Sequence, residues 1–311
     1  MISQKILNQI KLRPLLLASS IALISFTQSA NASKASIKIP SAPTPASSQA
    51  ACKSLDDWNE PTHARRIYGN TWYVGTCGIS VVLIATPQGH VLIDSAPEKS
   101  SAAVRKNILS LGVKLSDIKT ILLTHEHHDH MGGVASMQKA TGAKVLSRAN
   151  VVDVLKSGKN DRRDPQFKEL GGFAAIANVH AFDDSSNIKI GSAQIRHIPM
   201  AGHAPGGSGW TWQECEKNVC KNLVFADSLG SISDDTYLYS APDSLANALK
   251  ESSERLAKTS CDLLITGHGT ASDLLSRLDG EKPLINESAC TNYAQAGALR
   301  LEDRLKKEAG K

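Results

Sequence analysis

An α/β fold with sheets covered by helices is what the sequence predicts. Two observations carry this: short β-rich runs alternate with helical segments along most of the chain, and the front of that alternation reads as hairpins. From Thr71 onward the runs 72–74, 79–85 and 91–93 are strand-like, and Pro87, Gln88 and Gly89 supply a turn between the last two. A helix is expected from Ser100 or Ser101 to Leu111, because Val104, Ile108 and Leu111 share one face and Gly112 stops it. Residues 120–123 then form a short buried strand. The same grammar repeats with helices near 134–140 and 149–156 and strands at 143–146, 188–190 and 193–198. Strands at 223–226 and 263–265 bracket a helix running toward Leu256, with Asp243 as its expected cap. The segment 291–308 is strongly helical in composition.

The first 32 residues read as a signal peptide. Lys5, Lys11 and Arg13 precede or open an almost uncharged run containing Leu15, Leu16, Leu17, Ile21, Leu23 and Ile24, and Ala30-Asn31-Ala32 offers a small-residue cleavage pattern. Export to the periplasm with cleavage near Ala32 is therefore expected, without a stable membrane anchor. The leader holds three of the positive charges behind the formal net charge of +5, leaving +2 for the rest, which gives no nucleic-acid footprint. A Ser/Ala/Pro-rich lead-in covers 33–51, and the remaining residues, about 260, suit one large domain expected to act as a monomer. Export makes disulfides the default for the six cysteines. Fifteen connectivities are possible. Proximity favours Cys215 with Cys220, and the other pairs expected are Cys52 with Cys77 and Cys261 with Cys290. A thiolate zinc site is the competing reading, but no C-x-x-C pair supports it.

The chemistry concentrates in Thr124-His125-Glu126-His127-His128-Asp129-His130, placed after a predicted strand and before Gly132-Gly133. Imidazoles two positions apart in extended backbone project to one side, so His125 and His127 can share one ion. Asp129 and His130 add an oxygen and a nitrogen donor suited to a second zinc as the chain turns. Two ions need further donors. His203, in Gly202-His203-Ala204-Pro205-Gly206-Gly207, and His268, in Thr266-Gly267-His268-Gly269, both follow predicted strands and sit beside glycines. His128 should face away from His127, and His63, His90, His180 and His197 lack donor-rich neighbours. Asp94, at a strand end, is a candidate acceptor for the N–H of a ligand imidazole, with a turn role as the alternative.

These motifs, with Gly75-Thr76-Cys77-Gly78-Ile79, Val91-Leu92-Ile93-Asp94 and Gly209-Trp210-Thr211-Trp212, resemble the metallo-β-lactamase superfamily. From about residue 52 the chain is similar to a class B β-lactamase of the third subclass. The resemblance implies an αβ/βα sandwich of two mixed sheets flanked by helices, with the site at one edge. It implies two Zn2+ per chain, the first held by His125, His127 and His203 and the second by Asp129, His130 and His268. The activity it implies is hydrolysis of the β-lactam amide of penicillins, cephalosporins and carbapenems by a metal-bound hydroxide, with Asp129 as the catalytic carboxylate. Ser228 is placed toward substrate, while Asp227 facing the metals, as in lactonase-like and glyoxalase II-like relatives, is the rival. Three positions depart from the pattern. Gly230 replaces a second substrate-binding serine, so the drug carboxylate would fall to Ser228 with Ser231 or Ser233; Gly-His-Gly surrounds His268 where prolines are usual; Ser95 follows Asp94 where glycine is commoner. The loop 158–172 is expected to wall the pocket.

Two other readings remain: a lactonase or thioesterase of the same superfamily, and an exported zinc-binding protein without turnover. A serine-type lactamase is discounted, since the S-x-x-K matches at Ser116 and Ser136 lack a K-T-G companion.

Overall fold

The computed structural model describes residues 52–191 and 193–310. The leader over 1–32 and the lead-in over 33–51 lie outside the described residues. No described helix is long and apolar enough to cross a membrane.

The order is β1 (Arg65–Tyr68), β2 (Thr71–Tyr73), β3 (Val82–Ile84), β4 (His90–Ile93), α1 (Ser101–Ser110), β5 (Ile118–Leu122), α2 (His128–Met131), α3 (Val134–Thr141), β6 (Lys144–Arg148) and α4 (Val152–Ser157). It continues with β7 (Val179–Phe182), β8 (Asn187–Ile190), β9 (Ala193–Pro199), β10 (Ser208–Glu216), β11 (Val219–Ala226), α5 (Ala246–Ala257), β12 (Leu263–Thr266), α6 (Leu274–Leu278) and α7 (Ala289–Ala309). One sheet runs β1 to β7 in sequence order and the other runs β12-β11-β10-β9-β8. Both are mixed: β1 to β4 pair antiparallel and β4 to β7 parallel, while β11 and β12 form the parallel pair of the second sheet.

Strand alternation explains the layers. Ile121 and Leu123 turn outward, with Leu83, Leu92 and Val145, onto Val104 and Ile108 of α1, Met137 of α3 and Leu155 of α4. Leu122 turns inward with Val82, Val91 and Ile93 to meet Trp210, Leu223, Phe225, Leu263 and Ile265 from the other sheet. Val224 and Leu264, one residue out of phase with these, pack on Leu249 of α5 and on Ala294 and Leu301 of α7. The result is helix, sheet, sheet, helix. Disulfides join Cys52 to Cys77, Cys215 to Cys220 and Cys261 to Cys290, the pairs expected.

Some local expectations are corrected. The 79–85 run is a strand only over Val82–Ile84, because Thr76 N bonds Ile79 O at 3.0 Å and closes a turn ahead of it. Asp243 caps nothing: α5 begins at Ala246, and the first amides meet hydroxyls instead, Leu245 N donating to Tyr237 at 2.6 Å and Ala246 N to Ser244 at 3.4 Å. Strands β1 and β7 are additional to the sequence reading, and β10 is far longer than its four-residue motif.

His197 sits between the sheets on β9, with Phe182 and Trp210 ring centroids 4.7 and 5.2 Å away. Burial pushes its pKa down to about 4. Below the ordinary value of about 6.5 the unfolded chain therefore takes up a proton that the folded chain refuses, so stability drains as pH falls from 6.5 toward 4. Urea unfolding at pH 7 and pH 4.5 is expected to show this loss, and His197→Gln to lose less over the same interval than the parent. Equal losses in the two proteins would remove His197 from the account.

Candidate metal centre

The donors gather because several strands end at one edge of the sandwich. The carboxyl ends of β4, β5, β9, β11 and β12 lead directly into Asp94, the 125–130 segment, His203, Asp227 and His268. Such edges are where open α/β sheets place their ligands. Close approach at the edge needs small residues. A Cβ on Gly267 would lie 2.5 Å from His130 Cε1, and one on Gly133 would lie 2.6 Å from Ser101 Oγ and 2.7 Å from Ser95 O. Asp94 holds a left-handed backbone, φ 62°, and its carboxylate repays that strain by accepting Thr124 N and Thr124 Oγ1, both at 2.7 Å.

His125, His127 and His203 converge as one group of potential ligands, and His125, Asp129 and His130 as a second, each with its donor atoms within 4.8 Å of one another. His268 closes on the second group: its Nε2 is 3.2 Å from Asp129 Oδ2 and 3.4 Å from His130 Nε2. Asp129 Oδ2 is also 3.1 Å from His130 Nε2. His125 is shared between the groups, its ring centroid 4.4 Å from those of both His127 and His130. His128 faces Trp58 instead, 6.0 Å between centroids.

The outer ring nitrogens are tied down. His125 Nδ1 meets Asp227 Oδ1 at 2.8 Å, His127 Nε2 meets Asp164 Oδ2 at 2.8 Å, and His203 Nδ1 donates to Gly230 O at 3.0 Å. Each bond fixes a tautomer and leaves the opposite nitrogen for a metal. The buried His125 Nε2 has no hydrogen-bond partner, which an apolar setting makes costly unless a cation takes its lone pair. Nitrogen and carboxylate donors at this spacing fit zinc. Asp94 Oδ2 lies 3.4 Å from His130 Nδ1, a looser approach than its two bonds to Thr124, and His130 Nδ1 makes no hydrogen bond of its own. Asp94 thus serves the turn first and the imidazole second.

The electrostatics divide the cluster. Burial, then the charge of neighbouring imidazoles, drives His125 well below the ordinary histidine value, and burial with His127 pushes His203 down to about 3, so both rings are neutral donors. Burial works against charge on Asp129 and His130 too, yet each ionises the other: Asp129 lies well below the carboxylate range and His130 well above the histidine range.

Ser228 lines a cavity of about 1010 Å³ together with His203, His268 and Ser231. Asp227 is buried against His125 and also accepts Ser228 N at 2.8 Å, so the one-residue register separates the two side chains, with Ser228 on the cavity side. Ser233 is withdrawn from substrate by bonds to Asp234 O at 2.9 Å and Tyr237 O at 3.1 Å. The loop 158–172 does not line this cavity among the described residues; its contribution is Asp164, which also accepts Gln166 N at 2.7 Å. Two participants escaped the sequence reading. Asp164 lies in a segment without periodicity and meets a histidine 37 positions away, and Trp58, 5.6 Å from His268 between centroids, sits just after Cys52, whose bridge to Cys77 was the sole hint.

If Asp164 fixes the His127 tautomer, Asp164→Ala is expected to weaken zinc binding by about 10- to 100-fold. Competition with a chromophoric chelator measures this; parent-like affinity would leave Asp164 a purely structural residue.

The family model for the metallo-beta-lactamase superfamily matches residues 74–268. Among solved structures, the chain is similar to MEM-A1, a subclass B3 metallo-beta-lactamase isolated from a soil metagenome library, at 37% identity and TM-score 0.79, covering 82% of this chain and 99% of that one. It is 44% identical to the metallo-beta-lactamase SMB-1, TM-score 0.78, covering 81% and 99% of the two chains. It is 41% identical to MIM-1 from Novosphingobium pentaromativorans, TM-score 0.81, covering 84% and 97%. Curated relatives match locally. A hydroxyacylglutathione hydrolase of Pseudomonas aeruginosa (strain LESB58) is 60% identical over 37 residues, 12% of this chain and 13% of that protein. A metal-dependent hydrolase of Rhizobium etli (strain CIAT 652) is 33% identical over 132 residues, so the chain spans about half of its length, 53%. With its sandwich, its histidine cluster and this similarity along nearly the whole length of solved relatives, the chain belongs to the metallo-beta-lactamase superfamily of hydrolases and carries the fold of its subclass B3 members.

Proposed function

We propose that this protein is a periplasmic zinc β-lactamase that opens the lactam amide of penicillins, cephalosporins and carbapenems. The observation that carries the reading is the position of Asp227. Its Oδ1 meets His125 Nδ1 at 2.8 Å, on the outer side of the ring, the residue belongs to neither group of potential ligands, and Ser228 is left on the cavity wall for substrate. That arrangement favours a lactamase over the lactonase and glyoxalase II-like rivals. The similarity to subclass B3 proteins over 97–99% of their length supports it, whereas similarity to hydroxyacylglutathione hydrolase is confined to 13% of that relative.

His125, His127 and His203 would hold one zinc, and Asp129, His130 and His268 the other. Bound there, zinc supplies Lewis acidity and brings the pKa of water to about 7, so no side-chain nucleophile is required. The protein's part is orientation. Asp164, Asp227 and the Gly230 carbonyl fix three rings, Asp129 Oδ2 directs the attacking water from between His130 and His268, and Ser228 offers its hydroxyl to the substrate. Three disulfides accord with export.

The test is hydrolysis of a chromogenic cephalosporin by the purified protein. Turnover that disappears with chelator and returns with zinc is expected. Turnover of an acyl-homoserine lactone or a hydroxyacylglutathione thioester without lactam cleavage would replace the reading with a rival.

A further inference from the structure

The loop that follows β11 is laid along α7. Leu229 N donates to the Tyr293 hydroxyl at 3.4 Å, the Ser231 hydroxyl donates to the Arg300 carbonyl at 3.3 Å, and Arg304 Nη2 donates to the Ser233 hydroxyl at 2.6 Å. One wall of the cavity is therefore a helix face carrying Tyr293, Arg300, Arg304 and Lys307, beginning beside the metal-site loop and running away from it.

The charges along the cavity are not equivalent. Arg304 is committed to Glu308 at 2.5 Å, and Arg277 spends its guanidinium on backbone carbonyls, including Leu264 O at 2.9 Å and Ser272 O at 3.1 Å. Lys282 pairs with Asp273 at 2.8 Å, and Asp303 lies 3.8 Å from Lys306. Among the described residues that line the cavity, Arg277, Arg300 and Lys307 have no carboxylate within 4.0 Å; Arg277 is already taken by backbone carbonyls, and Arg300 is two helical turns nearer than Lys307 to the loop that carries Ser228. Its guanidinium carbon is 6.0 Å from the Tyr293 ring centroid, and the Tyr293 hydroxyl reaches Asp227 O at 3.4 Å, which anchors this part of the helix to the metal site.

Across from it, the loop is thinned at Gly230. The backbone there does not require glycine, since φ is not positive. Nor does crowding: a Cβ would meet Ile232 Cδ1 at 3.4 Å and His203 Nδ1 at 3.7 Å, ordinary contacts. The consequence of glycine is a loop with no side-chain donor between Ser228 and Ser231, so an acid entering the cavity finds the guanidinium as its strongest uncommitted partner.

The geometry points to Arg300 as a specificity-determining residue, whose guanidinium receives the carboxylate of a small acidic substrate while the scissile carbonyl lies at the histidine cluster. A planar guanidinium can meet a carboxylate through two parallel N–H bonds. The substrate class follows from the lactamase reading, on which this inference rests.

The experiment compares zinc-loaded parent, Arg300→Ala and Arg300→Lys on benzylpenicillin and on its methyl ester. Arg300→Ala is expected to raise KM for the acid about tenfold with a much smaller change in kcat, as loss of a charge-assisted hydrogen bond does. The preference for acid over ester in kcat/KM should fall by the same factor, and lysine, which keeps the charge but not the fork, should restore only part of it. An unchanged preference overturns the assignment. A second readout needs no turnover: calorimetric titration with benzylpenicilloate should show about tenfold weaker binding to Arg300→Ala, by the same argument, and equal affinities overturn it. Should the parent open neither acid nor ester, the lactamase reading fails by itself, while the calorimetry still decides the role of Arg300.

Discussion

Asp129→Ala is expected to cut kcat/KM for the proposed lactam hydrolysis by on the order of 10²- to 10³-fold, the rate equivalent of several kcal/mol of lost transition-state stabilisation. The carboxylate is buried and its Oδ2 lies 3.1 Å from His130 and 3.2 Å from His268, so no water-exposed group can take its place. Two effects coincide in the substitution. The second group of donors loses its oxygen, and the attacking water loses its acceptor. Asp129→Asn retains an oxygen donor and should fall between parent and alanine. Steady-state kinetics in excess zinc, run beside metal analysis, separates the outcomes: metal content should approach one ion per chain in the alanine variant. Activity within tenfold of the parent would show that Asp129 is not at the reacting centre.

Trp210→Ala should cost about 3–5 kcal/mol of folding stability, the range for removing a large aromatic side chain from a packed core. Trp210 is fully buried between the sheets among Leu122, Phe225 and Ile265, beside Phe182 and His197. It also donates Nε1 to Leu123 O at 2.9 Å, just before Thr124 and His125. Trp210→Phe isolates that bond: it leaves most of the apolar volume filled and a buried carbonyl unmatched, for about 1–3 kcal/mol. The order parent, phenylalanine, alanine in chemical denaturation is the expected result. Near-equality of phenylalanine and alanine would assign the whole effect to the hydrogen bond, and parent-like stability of alanine would refute the packing account.

The histidine cluster was legible because its spacing and its place in the chain say the same thing. Donors in H-x-H-x-D-H after a buried strand, and single histidines between glycines after later strands, have no simpler use, and the topology brings those strand ends to one edge. The Asp227 and Ser228 pair was half legible. Alternation says that neighbours face opposite ways, but which one faces the cavity depends on where β11 ends. Asp164 was illegible, since nothing local marks a loop aspartate as the partner of a histidine 37 residues earlier. Strand β1 was missed for a different reason: Arg65 is buried in it, made tolerable by Asp279 at 2.6 Å from a distant helix end, a pairing no local pattern predicts. Glycines at 206, 207 and 209 disguised the start of β10 as a loop, whereas they let the strand pass close to Glu126 and Met200.

Diffraction from zinc-soaked crystals at the zinc absorption edge tests the centre most directly. Two anomalous peaks per chain are expected, one among His125, His127 and His203 and one among Asp129, His130 and His268. A single peak, or a peak lying outside these imidazoles with His203 or His268 turned away from it, would contradict the account.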